Sequence, residues 1–172
     1  DPEARLNHQF AQMFGLQPDP DSYTQPDTVT EVFQSIRAWQ PKRDDVINGI
    51  ITDSLAALST SLEMESEDGD KMGMRRAKEF SEQLRKTCRI LAQKNYLMCC
   101  SNQVRENAEA GLYGQKYIAP GGKAIGFYSS LRLRTSIEKK LTKTKLIHGK
   151  EVKRIIGVEI EVEVYKSSIW KP

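Results

Sequence analysis

Hydrophobic positions along this chain recur with two periods, and the switches between them outline the elements. Residues 4–14 carry Leu6, Phe10, Met13 and Phe14 at helical spacing, and Gly15 stops the run. This helix starts either near Pro2 or at an Asn7 cap. Gln17 to Gln25 is a turn-rich link. Thr28 with Glu31 forms a capping box ahead of Val29, Val32, Phe33 and Ile36, which predicts a second amphipathic helix. Pro41 to Asp45 breaks the chain again. Val46 to Thr52 is a short β-branched apolar strand ending in Asp53-Ser54. A hydrophilic loop, Glu63 to Lys71, leads into a long helix from about Gly73 to Lys94. Its core stripe is Met74, Ala77, Phe80, Leu84, Cys88 and Leu91, and Lys78, Ser81 and Arg85 form a separate polar stripe.

Further on, Tyr96-Leu97-Met98-Cys99-Cys100 predicts a strand over 96–101 that ends in the polar pair Asn102-Gln103. A long Gly-rich stretch follows, with Arg105 at one end and Gly121-Gly122-Lys123 at the other. The chain then re-enters a strand over 124–134. Val158, Ile160, Val162 and Val164 alternate with Glu159, Glu161, Glu163 and Tyr165, the period-two pattern of a half-buried strand. Helices alternating with buried strands predict an α/β fold, mainly a parallel sheet flanked by helices, with an antiparallel extension after residue 134. Polar residues at a strand tip stand where open α/β sheets bind ligands. A long loop leaving that tip can bind a second ligand and report on the first.

Composition narrows the class. At 172 residues, with 38% hydrophobic and 28% charged residues, the chain is globular and long enough for a real core. No apolar run approaches the roughly 20 residues that cross a bilayer, and no membrane partner is expected. Three cysteines, two of them adjacent, make no disulfide framework, so a reducing compartment, the cytoplasm, is expected. The net charge of +3 matters less than its distribution: residues 132–154 hold nine Lys/Arg against Glu138 and Glu151. That span is an electrostatic footprint for nucleic acid, or a solvated hairpin. The chain starts at Asp1 without methionine and is read as a fragment or processed form.

Several residues carry possible chemistry, each with a plainer reading beside it. Asp53 at the end of Ile47-Asn48-Gly49-Ile50-Ile51-Thr52 has the form of a Walker B carboxylate, which orients hydrated Mg²⁺ at a nucleotide; equally, it caps the next turn. Glu3 is otherwise a solvated helix-start carboxylate. Asn102-Gln103 either sense a phosphate or cap a loop. Lys166 is a strand-end lysine. Lys78, Ser81, Arg85, Arg105, Lys123 and the Gly121-Gly122 amides suit a phosphate-backbone clamp, and Tyr113 suits base stacking; singly, each is also an ordinary solvated or packed side chain. His8 and His148 have no partners at metal or triad spacing, and the chain has no Gly-x-x-x-x-Gly-Lys-Ser/Thr loop.

In order and spacing, these pieces resemble the ATPase core of the RecA recombinases over essentially all 172 residues. Asp1-Pro2-Glu3 is similar to the family's strand-end acidic motif, which implies that Glu3 is the general base. Phe10 matches the aromatic that stacks on adenine, and Asn7 falls where the family has an Asp near the base. Gln25-Pro26-Asp27-Thr28 reproduces a family signature. Asp53-Ser54 matches the Walker B end, with Mg²⁺ held at Asp53 through the nucleotide. Residues 63–74, with Met72, resemble the first DNA-binding loop, and Ser81 and Arg85 match DNA contacts on the helix after it. Residues 104–122 resemble the second loop, in which Gln103 couples the γ-phosphate to DNA and Gly121-Gly122 hold the backbone. Phe127 matches a subunit-interface aromatic, and Lys166 resembles a lysine that reaches a neighbour's ATP.

The resemblance implies a RecA-like P-loop NTPase core, here a partial ATPase and DNA-binding core over 1–172. It further implies an ATP- and Mg²⁺-using, DNA-dependent ATPase of homologous recombination, repair and the SOS response, which forms homo-oligomeric helical filaments on single-stranded DNA and exchanges strands with duplex. Three departures stand out. The phosphate loop is missing, so tight ATP binding by this piece alone is not expected. Ser168 replaces the second of the paired lysines, as in some phage recombinases. Glu161 and Glu163 stand where the family often has basic residues of a secondary DNA site, for which Lys139, Lys140, Lys143 and Lys145 are candidate substitutes. The alternatives are a non-hydrolysing RecA-like DNA-binding or filament module and a RecA-fold helicase or regulatory ATPase.

Overall fold

The computed structural model describes residues 1–16, 21–65, 72–107, 111, 117–147 and 150–169. It divides into two compact units, Asp1–Tyr128 and Ser129–Pro172.

In the first unit, α1 (His8–Met13) begins where Asn7 Oδ1 accepts the Phe10 N–H at 2.9 Å, which decides for the Asn7 cap. Residues 4–6 stay outside the helix. Helix α2 (Val29–Ala38) has the expected capping box: Glu31 Oε2 accepts the Thr28 N–H at 3.1 Å, while Thr28 Oγ1 accepts the Glu31 N–H at 3.2 Å. Strand β1 (Asn48–Thr52) leads through a short 3₁₀ turn (Leu55–Ala57) to α3 (Ser61–Glu65) and the long helix α4 (Met72–Gln93). Strand β2 (Tyr96–Cys100) then pairs parallel with β1, from Asn48 opposite Tyr96 to Thr52 opposite Cys100. Parallel neighbours need a crossover, and α4 supplies it.

The core lies between α2, α4 and the 3₁₀ turn. Val29, Val32, Phe33, Ile36, Leu55, Leu58 and Phe80 form one buried cluster, with Ile50, Leu84, Leu91, Met98 and Ile125 packed against it. Phe33 and Phe80, both fully buried, meet edge to face at 6.3 Å. Each such ring contributes about 1.5–3 kcal/mol by burial. Polar ties pin the same two helices. Glu79 Oε1 accepts from Thr30 N and Thr30 Oγ1 at 3.1 and 2.7 Å. Arg37 donates to Gln83 Oε1 and Thr87 Oγ1, each at 2.9 Å.

Four sequence expectations are corrected. The strand expected over 124–134 is instead helix α5 (Lys123–Tyr128) followed by a strand beginning at Leu131. A short apolar run has no decisive period, and here Ile125 packs on the core cluster from a helix. The hydrophilic stretch from Glu63 begins inside α3, because Thr60 and Glu63 form a second capping box at 2.6 and 3.1 Å. Met74, assigned to the α4 core stripe, is exposed. The parallel sheet is small, with β1 and β2 its two strands among the described residues; β3 (Arg105–Glu106) and β4 (Tyr117–Ile118) form a separate antiparallel pair.

The second unit is a long antiparallel hairpin of β5 (Leu131–Ile147) and β6 (Lys150–Ser167), with register shifts between Arg132 and Leu133, Ile137 and Lys139, and Leu141 and Thr142. The alternating segment 158–165 is a strand as expected, but its apolar residues are exposed rather than half-buried. Period two identifies a face and leaves open whether anything covers it. Among the described residues, no helix is long and apolar enough to cross a membrane.

Candidate nucleotide and nucleic-acid sites

Parallel pairing of β1 and β2 brings both strand tips to the same end of the sheet. Asp53 is exposed at one tip, and its Oδ1 accepts a hydrogen bond from Ser101 Oγ at the other. The Asp53–Ser54 peptide is cis. Ser54, buried, donates to Glu3 Oε1 at 2.9 Å, and the other Glu3 oxygen pairs with Arg5 at 3.3 Å. Glu3 and the Asp53-Ser54 corner, fifty residues apart in sequence, thus meet through the Ser54 side chain.

Asn7, Phe10 and Asp53 line one cavity of about 900 Å³, together with Arg5, Tyr23 and Trp39. Phe10 is 59% exposed, with its ring edge-on to Phe14 at 5.0 Å. An accessible aromatic face and a strand-tip carboxylate in one cavity suit the base and cation ends of a nucleotide. The Asn7 oxygen already caps α1, so its contact with a base would run through the amide nitrogen. Among the described residues, no group of three or more His, Cys, Asp or Glu is placed to hold a metal by itself. Asp53, exposed at its strand tip, is an oxygen ligand of the type Mg²⁺ accepts when other groups complete its shell.

The second cluster lies on α4. Lys78, Ser81, Lys123 and Phe127 line an open groove of about 500 Å³ between α4 and α5. Three predicted DNA contacts from distant parts of the chain are thus neighbours. Arg85 is exposed one turn further along α4, beyond the groove lining. Phe127, expected at a subunit interface, is 76% exposed and edge-on to Tyr128 at 5.2 Å.

The glycine doublet explains how α5 comes so close. Gly121 and Gly122 have φ of +93° and +77°, which L side chains rarely adopt. A Cβ on Gly121 would stand 2.3 Å from Ile125 Cδ1, and one on Gly122 would stand 2.6 Å from Ala77 Cβ. Gly121 is buried and Gly122 exposed, so only the second glycine presents surface to a ligand.

A hydrogen bond joins the strand tip to the turn at the doublet. Asn102 Nδ2 donates to Pro120 O at 3.0 Å, while its Oδ1 accepts the Gln103 N–H at 3.0 Å. Asn102 is therefore the fastener between the strand tip and the doublet, and the Gln103 side chain beside it is exposed. Arg105 is exposed on β3, opposite Ile118. Met72 opens α4, with its side chain outside the described placements. Tyr113, residues 66–71 of the first loop, and 108–110 and 112–116 of the second lie outside the described residues. Lys166 belongs to the second unit, where its Nζ donates to Ser129 O at 2.8 Å.

Two features were missed in reading the sequence, one without a signal and one with it. Ser101 has no local signal, since its bond to Asp53 exists only once the strands are in register. The Thr60–Glu63 box was legible as Thr-x-x-Glu.

The RecA N-terminal domain family matches residues 1–172. Among curated proteins, Protein RecA of Thermus thermophilus is 33% identical over 172 residues, which is 100% of this chain and 48% of that protein. Protein RecA of Thermus aquaticus is 31% identical over the same span and 48% of its own length. That of Staphylococcus aureus (strain Newman) is 29% identical, with 46% of its length covered. This chain thus spans about half the length of the curated relatives it matches. A family match over its whole length makes the chain a member of the RecA N-terminal domain family.

Proposed function

We propose that the protein is a recombination and repair ATPase that binds Mg²⁺-ATP at the β1 and β2 tips, polymerises on single-stranded DNA through the α4–α5 groove and its flanking loops, and exchanges strands with duplex. The observation that carries this is the Asn102–Pro120 bond, a contact between the strand tip and the turn at the doublet beside the groove. Two ligands that bias one such element influence each other's affinity reciprocally.

The residues present fit the adenine and cation ends of the nucleotide, through Phe10 and Asp53, while the 172 residues hold no phosphate-loop motif. Bound Mg²⁺-ATP would supply the electrophilic phosphorus and the charge that stabilises departing phosphate. Glu3, oriented by Ser54 and Arg5, accepts a proton from a water at the strand tips. Gln103 hydrogen-bonds to phosphate through its exposed amide and passes the occupancy to the segment at 117–122. Lys78, Ser81, Arg85, Arg105, Lys123 and the Gly122 amide contact the DNA backbone, and Tyr113 stacks on bases. Phe127 packs on a neighbouring subunit. Lys166, released from Ser129, adds charge beside a neighbour's phosphates.

In the complete protein, Gln103→Ala should leave basal DNA binding intact while removing its tightening by ATP. Glu3→Gln should retain both ligands and lose turnover by about 10²–10⁴-fold, the usual worth of a general base. Full ATP-dependent tightening in the Gln103 variant would dismiss the coupling. DNA binding that ignores ATP in the unaltered protein would identify a non-hydrolysing module instead.

A further inference from the structure

The charged side chains that line the strand-tip cavity are Asp1, Asp21, Asp53 and Arg5. Among the described residues, Arg5 is the only Lys, Arg or His side chain in that lining. A polyphosphate entering the cavity therefore meets three carboxylates and one cation. Asp1 is already committed elsewhere: its Oδ2 accepts the Leu6 N–H at 2.9 Å and the Tyr23 hydroxyl at 2.8 Å. Those bonds, with the Ala4 N–H donating to Asp1 O at 3.1 Å, close the turn over residues 1–6 that carries Arg5.

Ala4 stands at the bend of this turn with φ of +51°, a left-handed conformation uncommon outside glycine. Outliers of this kind persist where surrounding contacts over-determine them, and they gather at ligand sites. Here the bend separates Glu3 from Arg5 and their side chains meet, with Arg5 Nη1 3.3 Å from Glu3 Oε2. An ion pair this exposed adds little stability, so the pair by itself does not explain the turn. It also leaves most of the guanidinium open. The Arg5 side chain is 83% exposed, and its Nε and Nη2 have no partner among the described residues. Arginine presents five N–H donors in a planar fork that matches phosphate oxygens two at a time. The other Glu3 oxygen is held by Ser54, next to Asp53, which ties the fork to the strand tip through two side-chain contacts.

We infer that Arg5 binds the terminal phosphate of a nucleoside triphosphate through Nε and Nη2 while Nη1 stays on Glu3. The inference rests on the nucleotide reading of this cavity and adds a phosphate ligand which that reading lacks. One planar group then touches both the general base and the phosphate beside which it acts, so occupancy fixes where Glu3 stands. A diphosphate lacks the group that Arg5 holds, which makes Arg5 a residue that distinguishes ATP from ADP. Lysine, a point charge without the fork, cannot hold both partners in one plane.

The test is isothermal titration calorimetry of the complete protein with Mg²⁺-ATP, Mg²⁺-ADP and inorganic tripolyphosphate. Arg5→Ala should weaken Mg²⁺-ATP by about 10- to 100-fold, the worth of charge-assisted hydrogen bonds, and leave Mg²⁺-ADP nearly unchanged. Arg5→Lys should recover only part of the ATP affinity. Both variants should keep the urea midpoint of the unaltered protein, because the ion pair is exposed. Unchanged ATP binding in Arg5→Ala, or equal losses of ATP and ADP, overturns the proposal. Phe10→Ala keeps it apart from the nucleotide reading. Loss of both nucleotides there, beside intact ATP binding in Arg5→Ala, removes Arg5 and leaves the nucleotide site. Tripolyphosphate binding that Arg5→Ala abolishes, in a protein that takes neither nucleotide, removes the adenine site and leaves the phosphate ligand. Binding of none of the three probes by the unaltered protein overturns both.

Discussion

Gly122 meets Ala77 on α4 so closely that one methyl group would have to displace a helix. Its φ of +77° adds a conformational penalty for any L side chain. Gly122→Ala should therefore cost about 1–3 kcal/mol in urea unfolding from backbone strain alone, with more from the contact. It should also widen the Lys78–Lys123 groove and weaken single-strand binding. Unchanged stability would show that the turn relaxes without touching α4. The doublet was visible in the sequence as a candidate backbone clamp. Its second role, admitting α5 to the α4 surface, was not, because the clash depends on a residue some forty-five positions upstream. Glu3 behaved similarly: named from its neighbours Asp1-Pro2, it acquires a reason for its orientation only from Ser54 and Arg5.

At the level of elements, the helices with end signals were the most legible. Thr28 and Glu31 specify the start of α2 through their own side chains, so no tertiary information was needed. Thr28→Ala should destabilise the chain by about 0.5–2 kcal/mol, measurable as a lower urea midpoint at constant slope. A much smaller loss would mean that the bond between Val29 N and Ser59 O, 3.0 Å, holds the helix start without the cap. The α5 segment failed for the converse reason. Ala124 to Tyr128 has strand-like composition, and the conformation is set by the positive-φ doublet before it and by Ile125 packing on the core. In the hairpin, the 158–165 part of β6 was legible by period, yet its exposure was not, since alternation is the same whether a face is covered or bare.

For the whole molecule, the decisive contact is small. Asn102→Ala removes the donor to Pro120 O and the acceptor for Gln103 N–H, at about 0.5–1.5 kcal/mol for each bond. Amides of residues 117–123 should then exchange faster with solvent, while those of β1 and β2 keep their protection. In the complete protein the same variant should reduce the ATP dependence of DNA binding. Uniform acceleration across the sheet would show that Asn102 supports the fold generally rather than joining two sites.

The amino-acid sequence alone determined the start of α2, the β1 and β2 strands, the basic span and the family resemblance, because caps, periodicity and ordered motifs are written in neighbouring residues. Tertiary structure decided which distant groups meet: Ser101 with Asp53, Glu3 with Ser54, Asn102 with Pro120, and Lys78 and Ser81 with Lys123. Such pairings follow from strand register and helix packing, which depend on contacts summed over the whole chain and leave no mark in any short window of it.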